Sequence, residues 1–167
     1  MDTTHHPIAR ATAPVPVPLP IRILRRMRPA IAWLLSSPLH AVLSRDVLLL
    51  AYRGRTSGRR YELPLNYVEH GGRLYLCTHD SRWWRNLRGG APVELHLRGR
   101  RLQATPCVLA SDSAEALDGL RAFLTRNPRT GALLYNVQND AARRPLEGDL
   151  KREVRHSVVV RLEMATD

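Results

Sequence analysis

The sequence predicts a mainly β (α+β) fold, a small antiparallel barrel of about six strands with an N-terminal helix and short decorating helices. Three observations carry that expectation. Apolar residues alternate with polar ones in short runs, glycine pairs punctuate those runs at hairpin spacing, and helical periodicity is confined to three brief stretches. A chain of 167 residues suits one domain, hiding roughly 70% of the surface that its unfolded form would expose.

Residues 1–20 hold Pro7, Pro14, Pro16, Pro18 and Pro20 among small residues, a composition that builds no core and reads as a flexible tail. In residues 21–45 the apolar positions Ile21, Leu24, Met27, Ile31, Leu34 and Leu35 recur at three- and four-residue steps. That spacing marks an amphipathic helix bent near Pro29, with Arg22, Arg25, Arg26 and Arg28 on its other face. The uncharged stretch Pro29–Leu43, broken by Pro38 and His40, falls short of the ~20 apolar residues of a membrane span. The small-residue cleavage site that would make the basic run a signal peptide is missing. A cytoplasmic location is expected, with peripheral attachment to an anionic membrane left open because the basic helix could lie on lipid or pack on the barrel.

The barrel domain is expected over residues 46–167. Val47 to Tyr52 reads as a buried strand that Gly54 ends. Tyr61, Leu63, Leu65 and Tyr67 alternate with Arg60, Glu62, Pro64 and Asn66 in a half-buried strand, and Pro64 places it at an edge or bulge. Gly71-Gly72 turns the chain into a returning strand, Leu74 to Thr78. Asp80 or Ser81 can cap a short helix through Arg88, and Gly89-Gly90 stops it. A second hairpin, Val93 to Arg98 and Leu102 to Leu109, turns at Gly99-Arg100. Asp112 with Glu115 resembles a capping box for a helix bearing Leu117, Leu120 and Leu124 that ends before Pro128. A variable segment then leads to a last strand, Ser157 to Glu163, with Val158, Val160 and Leu162 on one face.

Composition narrows the function classes. The formal charge of +11, with Lys151 the only lysine, calls for an anionic partner, and arginine's planar fork suits phosphate or carboxylate. Cys77 and Cys107 sit in alternating apolar runs and read as strand thiols, not as a disulfide or zinc framework. The histidines show no metal-ligand spacing, and neither a nucleophile elbow nor a paired-carboxylate pattern is present, so hydrolytic and metal chemistry lack residues. No basic stripe interleaved with stacking aromatics argues for nucleic acid.

Two motifs can carry chemistry. Gly54-Arg55-Thr56-Ser57-Gly58-Arg59-Arg60 joins two strands and gathers glycines, hydroxyls and guanidiniums, the makings of a phosphate cradle, although a solvated basic turn has the same composition. Trp83-Trp84-Arg85-Asn86-Leu87 follows a barrel strand. Neighbours on a helix point about 100° apart, so one tryptophan can face the core while the other walls a pocket. Tyr135 and Asn136 in the variable segment are candidate lid residues.

GRTSGRRYELPLNYVEHGGRLYL followed by RWWRNLRGGAPVELHLRGRR resembles the deazaflavin-dependent nitroreductase/quinone reductase family, relatives of the flavin-binding split barrels, over roughly Ile31 to Leu162. The resemblance implies a split β-barrel oxidoreductase transferring hydride from reduced deazaflavin coenzyme F-420 to a quinone, nitro compound or activated C=C bond. It implies that Arg55, Ser57, Gly58 and Arg60, with Thr56 and Arg59 in the same loop, hold the cofactor's phosphate. Pro64, Leu65, Asn66 and Tyr67 would lie along the deazaflavin, and Trp83, Trp84 and Asn86 near it. Tyr67 or Tyr135 could donate the accompanying proton. The partner is a small-molecule electron acceptor, and a homodimer is compatible with such barrels. An FMN-dependent reductase and a non-catalytic barrel binding flavin, haem or lipid remain as alternatives.

Overall fold

The computed structural model describes residues 46–79 and 81–165; the expected tail, the basic amphipathic helix and Asp80 lie outside them. Seven strands form one antiparallel sheet: β1 (Val47–Arg53), β2 (Arg60–Asn66), β3 (Val68–His70), β4 (Arg73–Thr78), β5 (Val93–Leu97), β6 (Arg100–Val108) and β7 (Val158–Met164). Their order is β2-β1-β5-β6-β7-β4-β3. Only Tyr67 separates β2 from β3, so a single run of chain supplies both ends of that order. It pairs with β1 through its first half and with β4 through its second. The sheet is therefore rolled into a split barrel, and at the corner the Tyr67 N–H donates to the Asp46 carbonyl at 3.1 Å.

The period of two then sorts the side chains. Leu48, Leu50, Tyr52, Leu74, Leu76, Val93, Leu95, Val160 and Leu162 fill the barrel interior, with Trp83 and Leu87 packed among them. On the other face, Tyr75 and Val159 meet α1 (Ala114–Arg126) in a second core with Leu120, Phe123, Leu124, Leu150 and Val154. Gly119 permits the close approach of α1, since a Cβ there would sit 2.7 Å from Tyr75 Cδ1.

The structure differs from the sequence expectation in five places. The second run continues past Tyr67 as a short seventh strand. The α1 cap is Ser113, whose Oγ accepts from Ala116 N at 3.1 Å, one residue beyond Asp112. Glu115 is not part of a capping box, because Tyr75 and Arg161 engage it. The short helix is a 3-10 turn, Trp83–Leu87, with Arg82 in the cap position and no side-chain cap. The second hairpin turns at Arg98-Gly99, both with positive φ. The variable segment contains two seven-residue helices, α2 (Pro128–Leu134) and α3 (Glu147–Glu153). Cys77 and Cys107 are free thiols on β4 and β6. Pro64 stands on β2, at the end of the strand order, where its missing N–H costs no ladder bond.

Candidate cofactor site

The seven-residue motif is the turn between β1 and β2. Gly54 N donates to Arg59 O at 2.9 Å and Gly58 N to Gly54 O at 2.8 Å, which closes the turn on itself. Gly54 has no room for a side chain, because a Cβ would meet Ser57 Oγ at 2.6 Å and Tyr61 Cε2 at 2.9 Å. Gly58 has φ +64, a left-handed conformation that glycine adopts without strain. Ser57 Oγ lies 3.4 Å from Tyr61 Oη and accepts the Arg59 N–H at 3.4 Å. Among the described residues no hydrogen bond uses the N–H groups of Thr56 and Ser57, and Arg55 and Arg59 have no carboxylate partner. Two amides without a partner beside two guanidiniums without a carboxylate are the makings of an anion nest.

The wall beside this turn is aromatic. The hairpin register sets Tyr52 opposite Tyr61, and their rings stack with centroids 5.6 Å apart. With Leu63, Trp83, Ser81, Arg82 and Asn86 they enclose a cavity of about 540 Å³ that opens onto Thr56 and Ser57. Asn86 ties the two elements together. Its Oδ1 accepts the Arg55 N–H and its Nδ2 donates to the Trp83 carbonyl, both at 3.1 Å.

The sequence-predicted residues divide into those at the cavity and those elsewhere. Thr56, Ser57, Trp83 and Asn86 line it, and Arg55, Gly58 and Arg59 belong to its rim. Arg60 points to the outer face of the sheet, where it reaches Glu62 at 3.1 Å and Glu94 at 3.2 Å. The Glu94 hydrogen bond, then that of Glu62, raises its pKa. Glu94 is held below the usual carboxylate range, first by His96 and then by Arg60. Pro64 and Asn66 share that outer side of β2, while Leu65 packs half-buried on the barrel interior. Trp84 is half-buried, with the Arg88 guanidinium 4.6 Å and the Arg85 guanidinium 5.7 Å from its ring centroid.

The two tyrosines expected to donate a proton are not brought together. Tyr67, 2% exposed, is part of the barrel interior, whereas Tyr135, 4% exposed, belongs to the helix-side core beside His79 and Phe123. Burial pushes the Tyr135 phenol far up, and neither ring lines the cavity. Tyr52, Tyr61, Leu63, Ser81 and Arg82 were not singled out by sequence. The signal for the first two was there: a turn closing on Gly54–Arg59 forces Tyr52 and Tyr61 into register.

A family model described as "F420H(2)-dependent quinone reductase" matches residues 36–146. No curated protein matches the chain. A solved structure described as a domain-swapped dimer is 18% identical over 86% of this chain and 99% of its own, with TM-score 0.53. A conserved hypothetical protein from Mycobacterium tuberculosis is 15% identical over 83% of this chain and 79% of its own, with TM-score 0.50. These two likenesses support the split-barrel fold.

Proposed function

Because the chain belongs to the F420H(2)-dependent quinone reductase family, and so is an oxidoreductase using coenzyme F-420 and a small-molecule acceptor, we propose that the cavity beside Tyr52 and Tyr61 is where that reaction occurs. The observation that carries the reading is one opening with two chemistries. An aromatic wall of Tyr52, Tyr61 and Trp83 suits a flat ring, and its rim of spare amides and guanidiniums suits a phosphate. The residues present therefore fit a phosphate-bearing deazaflavin.

When bound in reduced form, the deazaflavin supplies a hydride. The protein's part is placement and charge. Thr56 and Ser57 amides with Arg55 and Arg59 hold the phosphate, while Tyr52 and Tyr61 present a stacked platform and exclude water from one side of the ring. Tyr61 Oη and Ser57 Oγ, 3.4 Å apart at the wall, are the hydroxyls placed to donate to an acceptor oxygen as negative charge develops on it. This reading moves the proton role from Tyr67 and Tyr135 to Tyr61. The acceptor is a quinone, a nitro compound or an activated C=C bond. The family assignment favours turnover over a non-catalytic binding barrel.

Two finer points belong to the same proposal. Pairing of two copies would parallel the similar structure described as a domain-swapped dimer. Peripheral attachment to anionic lipid is favoured by Leu133, 66% exposed, with Leu134 and Leu146 also exposed. Arg129, Arg143 and Arg155 in the same part of the chain have no carboxylate partner among the described residues. No described helix is long and apolar enough to cross a membrane. Co-sedimentation with anionic vesicles at low salt tests that attachment, and Leu133→Ser/Leu134→Ser sedimenting as fully as wild type would take these leucines out of it and leave the basic segment of residues 21–45 as its one candidate.

Absorbance and fluorescence titration with coenzyme F-420, FMN and haem in parallel tests the central reading. Selective micromolar binding of F-420, with oxidation of its reduced form by a soluble quinone, is expected. Preference for FMN or haem would sink it.

A further inference from the structure

We propose that Asn86 is a positioning residue that couples the phosphate end of the site to its ring end without touching the cofactor. The proposal rests on the reading above and deepens it. Asn86 stands on the cavity wall, but each polar atom of its side chain already has a partner in the protein. Oδ1 takes the Arg55 N–H and Nδ2 reaches the Trp83 carbonyl, each at 3.1 Å. Those partners fix the amide's orientation, since an N–H requires an acceptor and a carbonyl a donor. A weaker strut runs beside it, from Arg55 Nη1 to the Arg85 carbonyl at 3.5 Å. No other hydrogen bond among the described residues joins the 54–59 turn to the 3-10 helix.

Trp83 and Leu87 anchor the inner side of the 3-10 helix in the barrel core, but few polar contacts tie its outer side to the exposed turn. The 3-10 helix is five residues long with no side-chain cap, and runs of that type have poor internal hydrogen-bond geometry. The turn is exposed from Arg55 to Arg59. Asn86 draws the Arg55 amide away from the nest, which leaves the Thr56 and Ser57 amides for the anion. Through Trp83 O it also sets the residue whose ring walls the cavity. An anion that orders the turn therefore also orders the wall, and the two halves of the cofactor bind cooperatively.

Three proteins decide the matter: wild type, Asn86→Ala, and Asn86→Asp, which keeps the acceptor for Arg55 N–H but loses the donor to Trp83 O. Two readouts apply: hydrogen–deuterium exchange over residues 54–59 without ligand, and dissociation constants for intact coenzyme F-420 and for its phosphate-free riboside. Asn86→Ala is expected to speed exchange in the turn and to weaken intact cofactor about tenfold, the scale of one or two lost hydrogen bonds. It should weaken the riboside no more than about threefold, a difference that loss of a direct ring contact would not produce. Asn86→Asp should restore the exchange rate of the turn.

Equal weakening of cofactor and riboside, or unchanged exchange in Asn86→Ala, overturns the coupling and makes Asn86 an ordinary ligand or a purely structural residue. If Asn86→Ala does not fold, Asn86→Ser, too short to span both partners, takes its place with the same expectations. Wild-type protein that binds neither ligand overturns the parent reading instead, while the exchange data still report on the link between turn and helix.

Discussion

The guanidiniums around α1 and those around the cavity have different surroundings. Near α1, Arg73 and Arg161 meet Glu115, Arg121 meets Asp118 and Glu147, and Arg126 meets Asp46. At the cavity end, Arg53, Arg55, Arg59, Arg82, Arg85 and Arg88 have no carboxylate partner among the described residues. Both groups are arginine-rich surface, so composition does not separate them. The first group's charge is used within the fold. The second group's is left over, and mutual repulsion among like charges makes an incoming phosphate favourable there. A net charge of +11 says that an anion is wanted; the distribution of carboxylates says where.

The largest expected effect comes from removing the uncommitted charge. Arg55→Ala/Arg59→Ala should weaken intact coenzyme F-420 by about 100-fold or more, since each charge-assisted bond to phosphate contributes ~1.5–3 kcal/mol. The melting temperature should hold, because no carboxylate is left behind. Isothermal titration at two salt concentrations measures both the loss and the flatter salt dependence. A change below about threefold would break the contrast between the two arginine groups.

Removing a partner from the other group should do the opposite. Glu115 accepts from Arg161 at 2.7 Å and from Tyr75 Oη at 3.1 Å, so Glu115→Ala takes two charge-assisted bonds from the largely buried Arg161 guanidinium and leaves it Glu163 alone, at 2.8 Å. A loss of about 2 kcal/mol of stability is expected, discounted for the half-open site, with cofactor affinity unchanged. The Arg161 hydrogen bond is the main cause of the lowered Glu115 pKa. Its contribution is therefore complete above the ordinary value of 4.5 and fades as pH falls through the depressed folded value. Denaturant unfolding followed from neutral pH downward should show wild type converging on the variant at the acid end. Parallel curves would remove this role from Glu115.

How far the sequence foretold all this depends on whether a feature is local. Alternation in Tyr61, Leu63 and Leu65 marked a strand because its period is in the chain itself, and Gly71-Gly72 marked its turn for the same reason. Barrel closure through Tyr67 was hidden, because it depends on β3 finding β4 and β2 finding β1. Helices α2 and α3 were hidden because seven residues are too few for an amphipathic period. At the site, the 54–60 motif was visible by composition and Trp83 by its neighbours. In sequence Tyr61 marks only a strand, since no sequence pattern tells which end of a barrel stays open. Tyr67 and Tyr135 look alike in sequence, and only the sheet between them shows that they belong to different cores.

Arg60 gives the smallest expected effect and the sharpest division between the groups. It lies in the cradle motif, and the resemblance assigns it to the phosphate together with Arg55. Its geometry places it with the paired arginines instead. β2 turns its side chain outward at the register position opposite Arg53, and Glu62 and Glu94 occupy its guanidinium. Glu94 is itself fixed by His96 Nε2 at 2.9 Å, so the acceptor set is anchored from a strand 34 residues away in sequence. An approaching phosphate would have to displace two carboxylates to use it. Arg60→Gln should therefore change the cofactor dissociation constant by less than about threefold, against the about 10- to 100-fold expected of Arg55→Ala alone. The exposed pairs it loses should shift the melting temperature only slightly. If Arg60→Gln weakens binding as much as Arg55→Ala, the ligand draws Arg60 away from Glu94, and carboxylate pairing in the free protein ceases to mark where the cofactor binds.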